Sequence, residues 1–354
     1  MIGNAIRTIL LAVMVLAATA HSSMVSAETV TLRMATWVPP MHHLHQTFTE
    51  WAAQIERASG GSLKVVLDEA PLAKAQGQYE LAKKGIADLA FPVLGYMPDR
   101  FAVTRGIELP FLSPSAEVGS QALWDWGTRN IADQEFNDVK LVTLFVHGPG
   151  MLHSKTRVRT HEDLAGMRLR VGGGGVAIAR ALGAVPVAMT AADAHQALLR
   201  GTTQGTLFPW EAVASYRLTG LVRYHLEIPG GLYTTVFAVV MNKARYESLA
   251  PEHKALIDRF GGGYGAAFIG RHWDEADRAA REEAKVNGEY IHTLAPEELK
   301  RWRAKIAFMD GEWIVDMTEQ GHDAAALLDD LRKTVSKFQD MQASVHLRFA
   351  QPGQ

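Results

Sequence analysis

Residues 164–211, LAGMRLRVGGGGVAIARALGAVPVAMTAADAHQALLRGTTQGTLFPWE, decide the fold of this chain. An apolar strand at residues 167–171 leads into four glycines and a short helix at 176–182. A second strand follows at 185–189, and Thr190 opens a further helix. This order of strand, helix, strand and helix predicts a βαβα unit within an α/β domain.

Both ends of this stretch carry residues that indicate binding. Arg170 lies in the apolar strand, where burial of a guanidinium costs on the order of several kcal/mol unless an anion pairs with it. A ligand carboxylate would accept two parallel hydrogen bonds from it, and a salt bridge to an internal acid such as Glu211 is the alternative. Phe208 and Trp210, at the other end, would either wall a ligand or pack in the core. We interpret the stretch as one wall of a cleft that binds a small carboxylate.

Four other residues are candidates for the same cleft. Trp37 and Tyr233 follow strand or turn ends, with core packing as the alternative. His147 ends a predicted strand and is a candidate for a polar contact, and Tyr96 begins a predicted loop at residues 96–105. The candidate ligand-binding set is completed by Arg170, Phe208, Trp210 and Glu211.

Strands and helices alternate over most of the chain. Predicted strands cover residues 29–36, 63–67, 87–94, 140–147 and 233–241. Predicted helices cover residues 42–57, 76–84, 116–128, 212–224, 251–285, 296–317 and 323–342. The alternation predicts a doubly wound α/β fold. Glycines in the helical pattern at 251–285 cost roughly 1 kcal/mol each, which close packing against another backbone or a hinge would explain.

The composition restricts the class of function. The chain has 354 residues, 47% of them hydrophobic, and this length suggests about two globular domains. A net charge of −2 leaves no basic surface for nucleic acid or an anionic membrane. The sequence contains no cysteine, which excludes thiol catalysis and thiolate metal sites.

The first 27 residues have the pattern of a secretory signal peptide. Arg7 precedes an apolar run at residues 9–20, and Val25-Ser26-Ala27 offers small residues for cleavage. The run is too short to span a bilayer, and no later stretch approaches roughly 18 apolar residues. We therefore expect an exported mature chain that begins at Glu28 and is not embedded in a membrane.

Three kinds of chemistry are not predicted. Residues 172–175 lack the dinucleotide pattern, which would need glycine in place of Ile178, and no Gly-Lys-Ser/Thr follows. His42, His43 and His45 lack the i, i+4 spacing that places two imidazoles on one helical face, so no metal site is predicted. A nucleophile motif and a carboxylate pair beside a strand end are also missing, so neither an enzyme nor a cofactor is predicted.

Five segments in a fixed order resemble a known family. They are HGPGMLHSK at 147–155, LAGMRLRV at 164–171, ALGAVPVAM at 181–189, ALLRGTTQGTLFPWE at 197–211 and PGGLYTTVFAVVMN at 229–242. Nearly all of the mature chain resembles the substrate-binding proteins of TRAP (tripartite ATP-independent periplasmic) transporters. In that family the arginine of the Leu-Arg-Val motif pairs with the ligand carboxylate, and the matching residue here is Arg170.

The resemblance implies a periplasmic binding protein-like fold, in which two α/β domains enclose a cleft. It implies crossing strands at 141–147 and 233–241 and a domain-bridging helix at 251–285. The expected domain I comprises residues 28–146 plus about 240–275, and domain II comprises 147–239 plus about 276–345. A periplasmic location, a small organic acid as ligand and transporter membrane subunits as partners are also implied.

Departures from the family pattern leave the ligand open. Gly172, His195 and Gln204 replace a proline, a tyrosine and an aspartate that are common in relatives. The aromatic-rich wall favours a monocarboxylate with an aromatic body, or a 2-oxo acid, over a dicarboxylate. A dicarboxylate would need a second cation, for which Arg105 and Arg217 are the candidates. A periplasmic enzyme of the same fold and a ligand sensor for a signalling receptor are the alternative functions.

Overall fold

The computed structural model describes residues 29–350, apart from the side chains of residues 133 and 345–350. The predicted signal peptide, residues 1–27, lies outside the described residues. The strands are β1 Val30–Ala35, β2 Leu63–Leu67, β3 Leu89–Ala90, β4 Lys140–Val146, β5 Met151–Ser154, β6 Arg168–Val171, β7 Val185–Ala188, β8 Gly205–Phe208, β9 Tyr224–Glu227, β10 Val236–Met241 and β11 Tyr290–Thr293.

Helices alternate with these strands and cover both sheets that they form. They are α1 His43–Ala58, α2 Gln78–Lys83, α3 Ala116–Asn130, α4 Ala132–Glu135, α5 Gly175–Ala181, α6 Ala194–Leu199, α7 Glu211–Ser215, α8 Lys243–Glu247, α9 Pro251–Phe260, α10 Gly262–Val286, α11 Pro296–Ile306, α12 Phe308–Glu319 and α13 Ala324–Ala350. Among the described helices, none is at once long and apolar enough to cross a membrane.

The strands form two mixed sheets, which confirms the prediction of an α/β protein. Sheet one has the order β2-β1-β3-β10-β4, and sheet two has the order β11-β9-β5-β8-β6-β7. In sheet one, β1 is parallel to β2 and β3, while β10 runs antiparallel to β3 and β4. In sheet two, β6 is parallel to β7 and β8, and β5 is antiparallel to β8 and β9.

Strand β10 shows why sheet one carries helices on both faces. All six of its residues are buried, and successive side chains of a strand point to opposite faces. Val236, Ala238 and Val240 pack in a cluster with residues of α2, α3 and α13, whereas the intervening residues pack with α1, α9 and α10. The continuous apolar run of this strand therefore reflects burial on two sides.

The predicted helix at 251–285 is two helices, because the chain breaks at Gly261 (φ −81°, ψ −143°). A Cβ at Gly261 would lie 2.6 Å from the carbonyl oxygen of Val142. A Cβ at Gly270 would lie 2.6 Å from the Cα of Glu117. Close packing against another backbone therefore accounts for these two glycines. The chain break at Gly261 lies just before α10, which is itself continuous.

Helix α10 connects the two halves of the molecule. Phe268 and Trp273 in its first half belong to the hydrophobic core of sheet one. Ala280 and Ala284 in its second half belong to a core cluster with Phe208 of sheet two. The helix thus bridges the two α/β units, although it begins at residue 262 rather than 251.

Several predicted elements have different limits in the structure. The predicted helix at 212–224 ends at Ser215, because Arg217 adopts a left-handed conformation (φ 54°) and residues 224–227 then pair as β9. The predicted strand at 87–94 is a regular strand only at Leu89–Ala90, and Val93 adds an isolated bridge to Phe237. The predicted helix at 296–317 divides at Ala307, and the predicted loop at 96–105 runs into a 3-10 turn at Thr104–Glu108.

The predicted domain limits stay a proposal, and the packing of the C-terminal helices suggests one change to them. Leu331 and Val335 of α13 lie in the same core cluster as Trp126 of α3, beside sheet one. Trp302 and Ile306 of α11 lie in the core of sheet two instead. We propose that the chain returns to domain I after α11, so that α13 belongs to domain I rather than to domain II.

Candidate functional site

A cavity receives side chains from both sheets, and the space between the atoms around it, part of it open to solvent, is about 460 Å³. Residues of sheet one and of the loops beside it form one wall, and residues that follow β6 and β8 form another. Seven of the lining residues are aromatic: Trp37, Tyr96, Phe208, Tyr216, Tyr233, Phe237 and Trp273.

Arg170 of β6 is a buried cation in the wall of this cavity, with only 1% of its surface exposed. Its Nη2 donates to the carbonyl oxygen of Met189 at 3.0 Å, and its Cζ lies 3.9 Å from the centre of the Phe208 ring. Among the described residues it forms no ion pair with a carboxylate, and its buried Nε has no partner. Glu211, the candidate for an internal salt bridge, does not pair with it.

The backbone beside Arg170 leaves room for an anion. A Cβ at Gly172 would lie 3.1 Å from Nη2 of Arg170 and 3.4 Å from the Tyr96 ring. The hydroxyl of Tyr96 accepts a hydrogen bond from the backbone N–H of Ala191 at 3.2 Å, which connects the two sides of the cavity. Glycine at position 172 therefore keeps the space next to the guanidinium open.

His147, which follows β4, presents a neutral ring. Burial is the main cause that lowers the pKa of its imidazole to about 4, and the nearby charge of Arg170 acts in the same direction. Its Nδ1 lies within hydrogen-bonding distance of the Gly148 carbonyl, which can only accept, so we assign the proton to Nδ1. The Nε2 atom is then an acceptor, which suits a ligand hydroxyl better than a carboxylate.

Two of the predicted aromatic residues offer ring surface rather than hydrogen bonds. The hydroxyl of Tyr233 donates to the carbonyl of Leu207 at 2.9 Å. The indole N–H of Trp37 donates to the carbonyl of Phe91, also at 2.9 Å. Because both donors are used inside the protein, these side chains contribute apolar faces to the cavity.

Tyr216 is a cavity residue that the sequence pattern did not indicate. Its ring stacks on Phe208 with centroids 5.7 Å apart and planes 9° apart, and it meets the edge of His42 at 5.4 Å. Residue 216 falls inside a predicted helix, whereas the structure places it just after α7. Its ring thus joins Phe208, beneath Arg170, to His42 at another part of the wall.

Glu211 lines the cavity at the start of α7 and is 3% exposed. Its Oε2 has no hydrogen-bond partner in the part of the chain that is described. The nearest nitrogens are Nε2 of His43 at 3.5 Å and Nε2 of His42 at 3.9 Å. Burial raises the pKa of the Glu211 carboxyl to about 8. At neutral pH the carboxyl is therefore largely protonated, and it does not repel an anionic ligand.

His42 and His43 come together for a reason that helical spacing does not show. His42 precedes α1 in an extended conformation (φ −71°, ψ 138°), and its Nδ1 accepts the backbone N–H of Leu44 at 3.2 Å. The two imidazoles stack with centroids 4.8 Å apart. Because Nδ1 is an acceptor, the neutral ring carries its proton on Nε2. Burial, which lowers the pKa of His42 to about 3, keeps the ring neutral.

His42, His43 and Glu211 offer ligand atoms within 4.8 Å of one another, as a metal site would. The protonated Nε2 of His42 cannot ligate an ion, however, and the donor set does not fit a metal. A second group, His161, Glu162 and Glu298, surrounds Arg301, whose Nη1 lies 2.7 Å from Glu298. That group already holds a cation. Neither of these two groups of described residues is suited to an ion.

Trp210 does not lie where the sequence predicted. Its ring packs away from the cavity against His153 and His225, with centroids 5.0 Å and 4.7 Å away. Its indole N–H donates to Glu227 at 3.2 Å. The other seven candidates line the cavity, and their contact with a ligand stays a prediction: Trp37, Tyr96, His147, Arg170, Phe208, Glu211 and Tyr233.

The two arginines considered as a second cation also lie outside the cavity. Arg105 pairs with Glu108 at 2.8 Å. Arg217 contacts the sulfur of Met41 at 3.0 Å. Among the described side chains, Arg170 is the one arginine or lysine that lines the cavity.

Comparisons with known proteins agree with this architecture. Residues 34–309 match the family described as bacterial extracellular solute-binding protein, family 7 (DctP). A TRAP solute-binding protein from Rhodoferax ferrireducens T118, in complex with copurified benzoate, superposes with a TM-score of 0.84 at 31% identity. The match covers 89% of this chain and 100% of that one.

Two other solved structures are similar over the same extent. A TRAP periplasmic solute-binding protein from Bordetella bronchiseptica, with bound (R)- and (S)-mandelate, has a TM-score of 0.83 at 28% identity, covering 87% of this chain and 99% of that one. A marine metagenome TRAP solute-binding protein specific for aromatic acids, with 3-hydroxybenzoate, has a TM-score of 0.83 at 32% identity, covering 88% and 99%. The chain therefore belongs to the bacterial extracellular solute-binding proteins of family 7, which serve TRAP transport.

Proposed function

We propose that the protein is a periplasmic receptor that binds a small monocarboxylate, with an aromatic body or a 2-oxo group, and delivers it to TRAP membrane subunits. The observation that carries the proposal is Arg170, a buried guanidinium in a cavity wall without a carboxylate partner among the described residues. A buried cation that lacks an anion is costly. A ligand carboxylate would remove that cost through two charge-assisted hydrogen bonds.

The rest of the cavity favours an aromatic body. Phe208 and Tyr216 form one stacked wall, and Phe237 and Trp273, with ring centroids 5.2 Å apart, form another surface. Aromatic rings bind well between such faces because offset stacking and apolar burial both contribute. The relatives with benzoate, mandelate and 3-hydroxybenzoate support the same class of ligand.

Calorimetry with benzoate, mandelate, pyruvate and succinate tests the proposal. The substitution Arg170→Ala removes two charge-assisted hydrogen bonds to the ligand carboxylate, each worth about 1.5–3 kcal/mol. The affinity for the preferred acid should therefore fall at least about 100-fold. The matched control is Arg168→Ala, because Arg168 is exposed on the same strand and its guanidinium donates to the carbonyls of Thr202 and Gly201. The affinity of the Arg168→Ala variant for the preferred acid should stay within about threefold of the wild-type value.

Two results would contradict the proposal. Undiminished affinity in Arg170→Ala would remove the arginine from the binding mechanism. Binding of succinate as strong as that of any aromatic or 2-oxo acid would remove the preference for a monocarboxylate. The solute-binding relatives do not suggest catalysis, and recovery of the bound acid unchanged, measured by mass spectrometry, is the expected result for a receptor.

A further inference from the structure

We propose that Glu211 and His42 form a second polar subsite that binds a hydroxyl group of the ligand, so that the preferred ligand is a hydroxylated aromatic acid. The inference rests on the proposed function, because it takes the ligand carboxylate to lie at Arg170. It adds a contact that the arginine does not provide. The ligand would then be held at two polar points with its ring between them.

The first observation is the unused hydrogen-bonding capacity of Glu211. Its side chain is 4% exposed, and no described residue forms a hydrogen bond with its Oε2. A buried acceptor without a partner costs about 1–3 kcal/mol, and a ligand donor at this atom would remove that cost. Because Glu211 lines the cavity, a ligand can reach it.

The second observation is a donor near this acceptor that also lines the cavity, namely His42, whereas the closer His43 does not line it. The cap that His42 forms on α1 uses Nδ1, which places the proton on Nε2. That Nε2 lies 3.9 Å from Oε2 of Glu211, too far for a direct hydrogen bond. A hydroxyl oxygen at roughly 2.8 Å from both atoms would accept from His42 and donate to Oε2 as the carbonyl oxygen of the protonated Glu211 carboxyl, at an angle of about 90° between them. A single hydroxyl group thus satisfies both side chains.

The third observation is the surface between the two polar points. The Phe208 ring lies under the guanidinium of Arg170, Tyr216 stacks on Phe208, and the Tyr216 ring meets His42. A continuous aromatic wall therefore leads from the cation to the subsite. Among described residues Arg170 and Glu211 do not pair, which keeps both available to a ligand. An aromatic acid fits this arrangement if its ring lies on the wall and its hydroxyl reaches the far end.

The experiment compares benzoate with its three monohydroxy derivatives at pH 7 by calorimetry. Wild type should bind at least one hydroxybenzoate about tenfold or more tightly than benzoate, as expected for a hydroxyl with two buried partners. In Glu211→Leu that preference should fall to about twofold or less, because the acceptor is lost. Glu211→Gln keeps a carbonyl oxygen and should restore most of the preference. His42→Asn keeps a helix-capping side chain but lacks the ring N–H, and should lower the preference about fivefold.

Controls separate the subsite from the fold and from the proposed function. Glu275→Gln changes an exposed glutamate of α10 and should leave the preference as in wild type. Thermal unfolding shows which variants fold. If Glu211→Leu does not fold, the test of the hydroxyl subsite rests on the preferences of Glu211→Gln and His42→Asn. Measurements with and without EDTA should agree, since a preference that requires a divalent ion would overturn the direct contact.

The outcomes distinguish the two proposals. If wild type binds benzoate as tightly as every hydroxybenzoate, or if Glu211→Leu keeps the preference, the hydroxyl subsite is wrong. In that case Arg170→Ala should still lower the affinity for the acids that wild type binds by about 100-fold or more, and the proposed function then stands. If wild type binds none of the aromatic acids, the hydroxyl subsite is overturned, and the proposed function is overturned with it if pyruvate does not bind either.

Discussion

The guanidinium of Arg170 is positioned by groups that do not neutralise it. The Met189 carbonyl accepts one hydrogen bond, and the Phe208 ring offers its electron-rich face. Neither group carries a full negative charge, so the site keeps its attraction for an anion. The sequence could indicate this residue because an arginine in an apolar strand is unusual. It could not decide between a ligand and Glu211 as the partner, since that choice depends on distances across the fold.

The buried carboxyl of Glu211 predicts a specific dependence of stability on pH. Burial raises its pKa from an ordinary value of 4.5 to about 8 in the folded protein. Between these values the folded state retains a proton that the unfolded state has released. The stabilisation is therefore complete below pH 4.5 and is lost as the pH rises through 8, with a slope of up to about 1.4 kcal/mol per pH unit.

Glu211→Gln removes this titration, so the variant should gain stability relative to wild type as the pH rises from 5 to 8. Urea unfolding followed by circular dichroism at several pH values measures the difference. The lowered pKa values of His42 and His43 are present in both proteins and cancel. Burial and then the Glu211 charge raise the pKa of Asp277, so the variant should lessen that shift too, which acts in the same direction. Glu275→Gln, on the exposed face of α10, should show a constant difference. If the difference in free energy of unfolding between Glu211→Gln and wild type does not change with pH, the titration of a buried Glu211 is contradicted.

Helix α10 packs against α3 through a contact that only glycine permits. A Cβ at Gly270 would lie 2.6 Å from Cα of Glu117 and 2.7 Å from the carbonyl of Ala116. Asp274, one turn later, accepts the backbone N–H groups of Ala116 and Glu117 at 2.7 Å and 3.0 Å. A carboxylate of one helix thus caps the N-terminus of the other, which requires the two backbones to approach closely.

Gly270→Ala should therefore destabilise the protein by about 1–3 kcal/mol, because the added methyl group forces α10 and α3 apart. Gly263→Ala is the matched control in the same helix, since its Cβ would meet Trp124 at an ordinary 3.5 Å. That substitution should stabilise the helix by up to about 1 kcal/mol. Denaturant unfolding measures both changes. Equal effects of the two substitutions would contradict the close contact at Gly270.

Helices and strands with strong local periodicity could be predicted from the sequence. Short strands that are defined only by hydrogen bonds to neighbouring strands could not. The apolar spacing of α1 and the apolar run of β10 are local features. The four-residue strand β9 is recognisable only by its partners β5 and β11. The same limit applies to the site. Trp273 reaches the cavity because α10 crosses sheet one, and Trp210 leaves it because its ring packs on His153 and His225.

The whole molecule consists of two sheets with a cavity between their residues and a helix that contacts both. The backbone N–H of Glu211 donates to Asp277 of α10 at 2.7 Å, and Arg281 of α10 pairs with Glu227 of β9 at 2.6 Å. These contacts fix the second half of α10 to sheet two, while its first half is fixed to the core of sheet one. The predicted crossing strands β4 and β10 both lie in sheet one, so the links between the sheets are the segments after β4 and before β10. We therefore expect closure around a ligand to move one sheet relative to the other about α10 and these segments.

The hydrogen bond from the Ala191 N–H to the Tyr96 hydroxyl, 3.2 Å long, crosses the cavity and should favour the closed arrangement. Tyr96→Phe removes it, and since a neutral hydrogen bond contributes about 0.5–1.5 kcal/mol, the closed population and the ligand affinity should fall about 2- to 10-fold. Small-angle X-ray scattering without ligand should show a larger radius of gyration, which loss of a direct ligand contact would not produce. Tyr290→Phe, which alters a partly exposed tyrosine of β11, should change neither quantity. An unchanged scattering curve for Tyr96→Phe would show that this bond does not control closure.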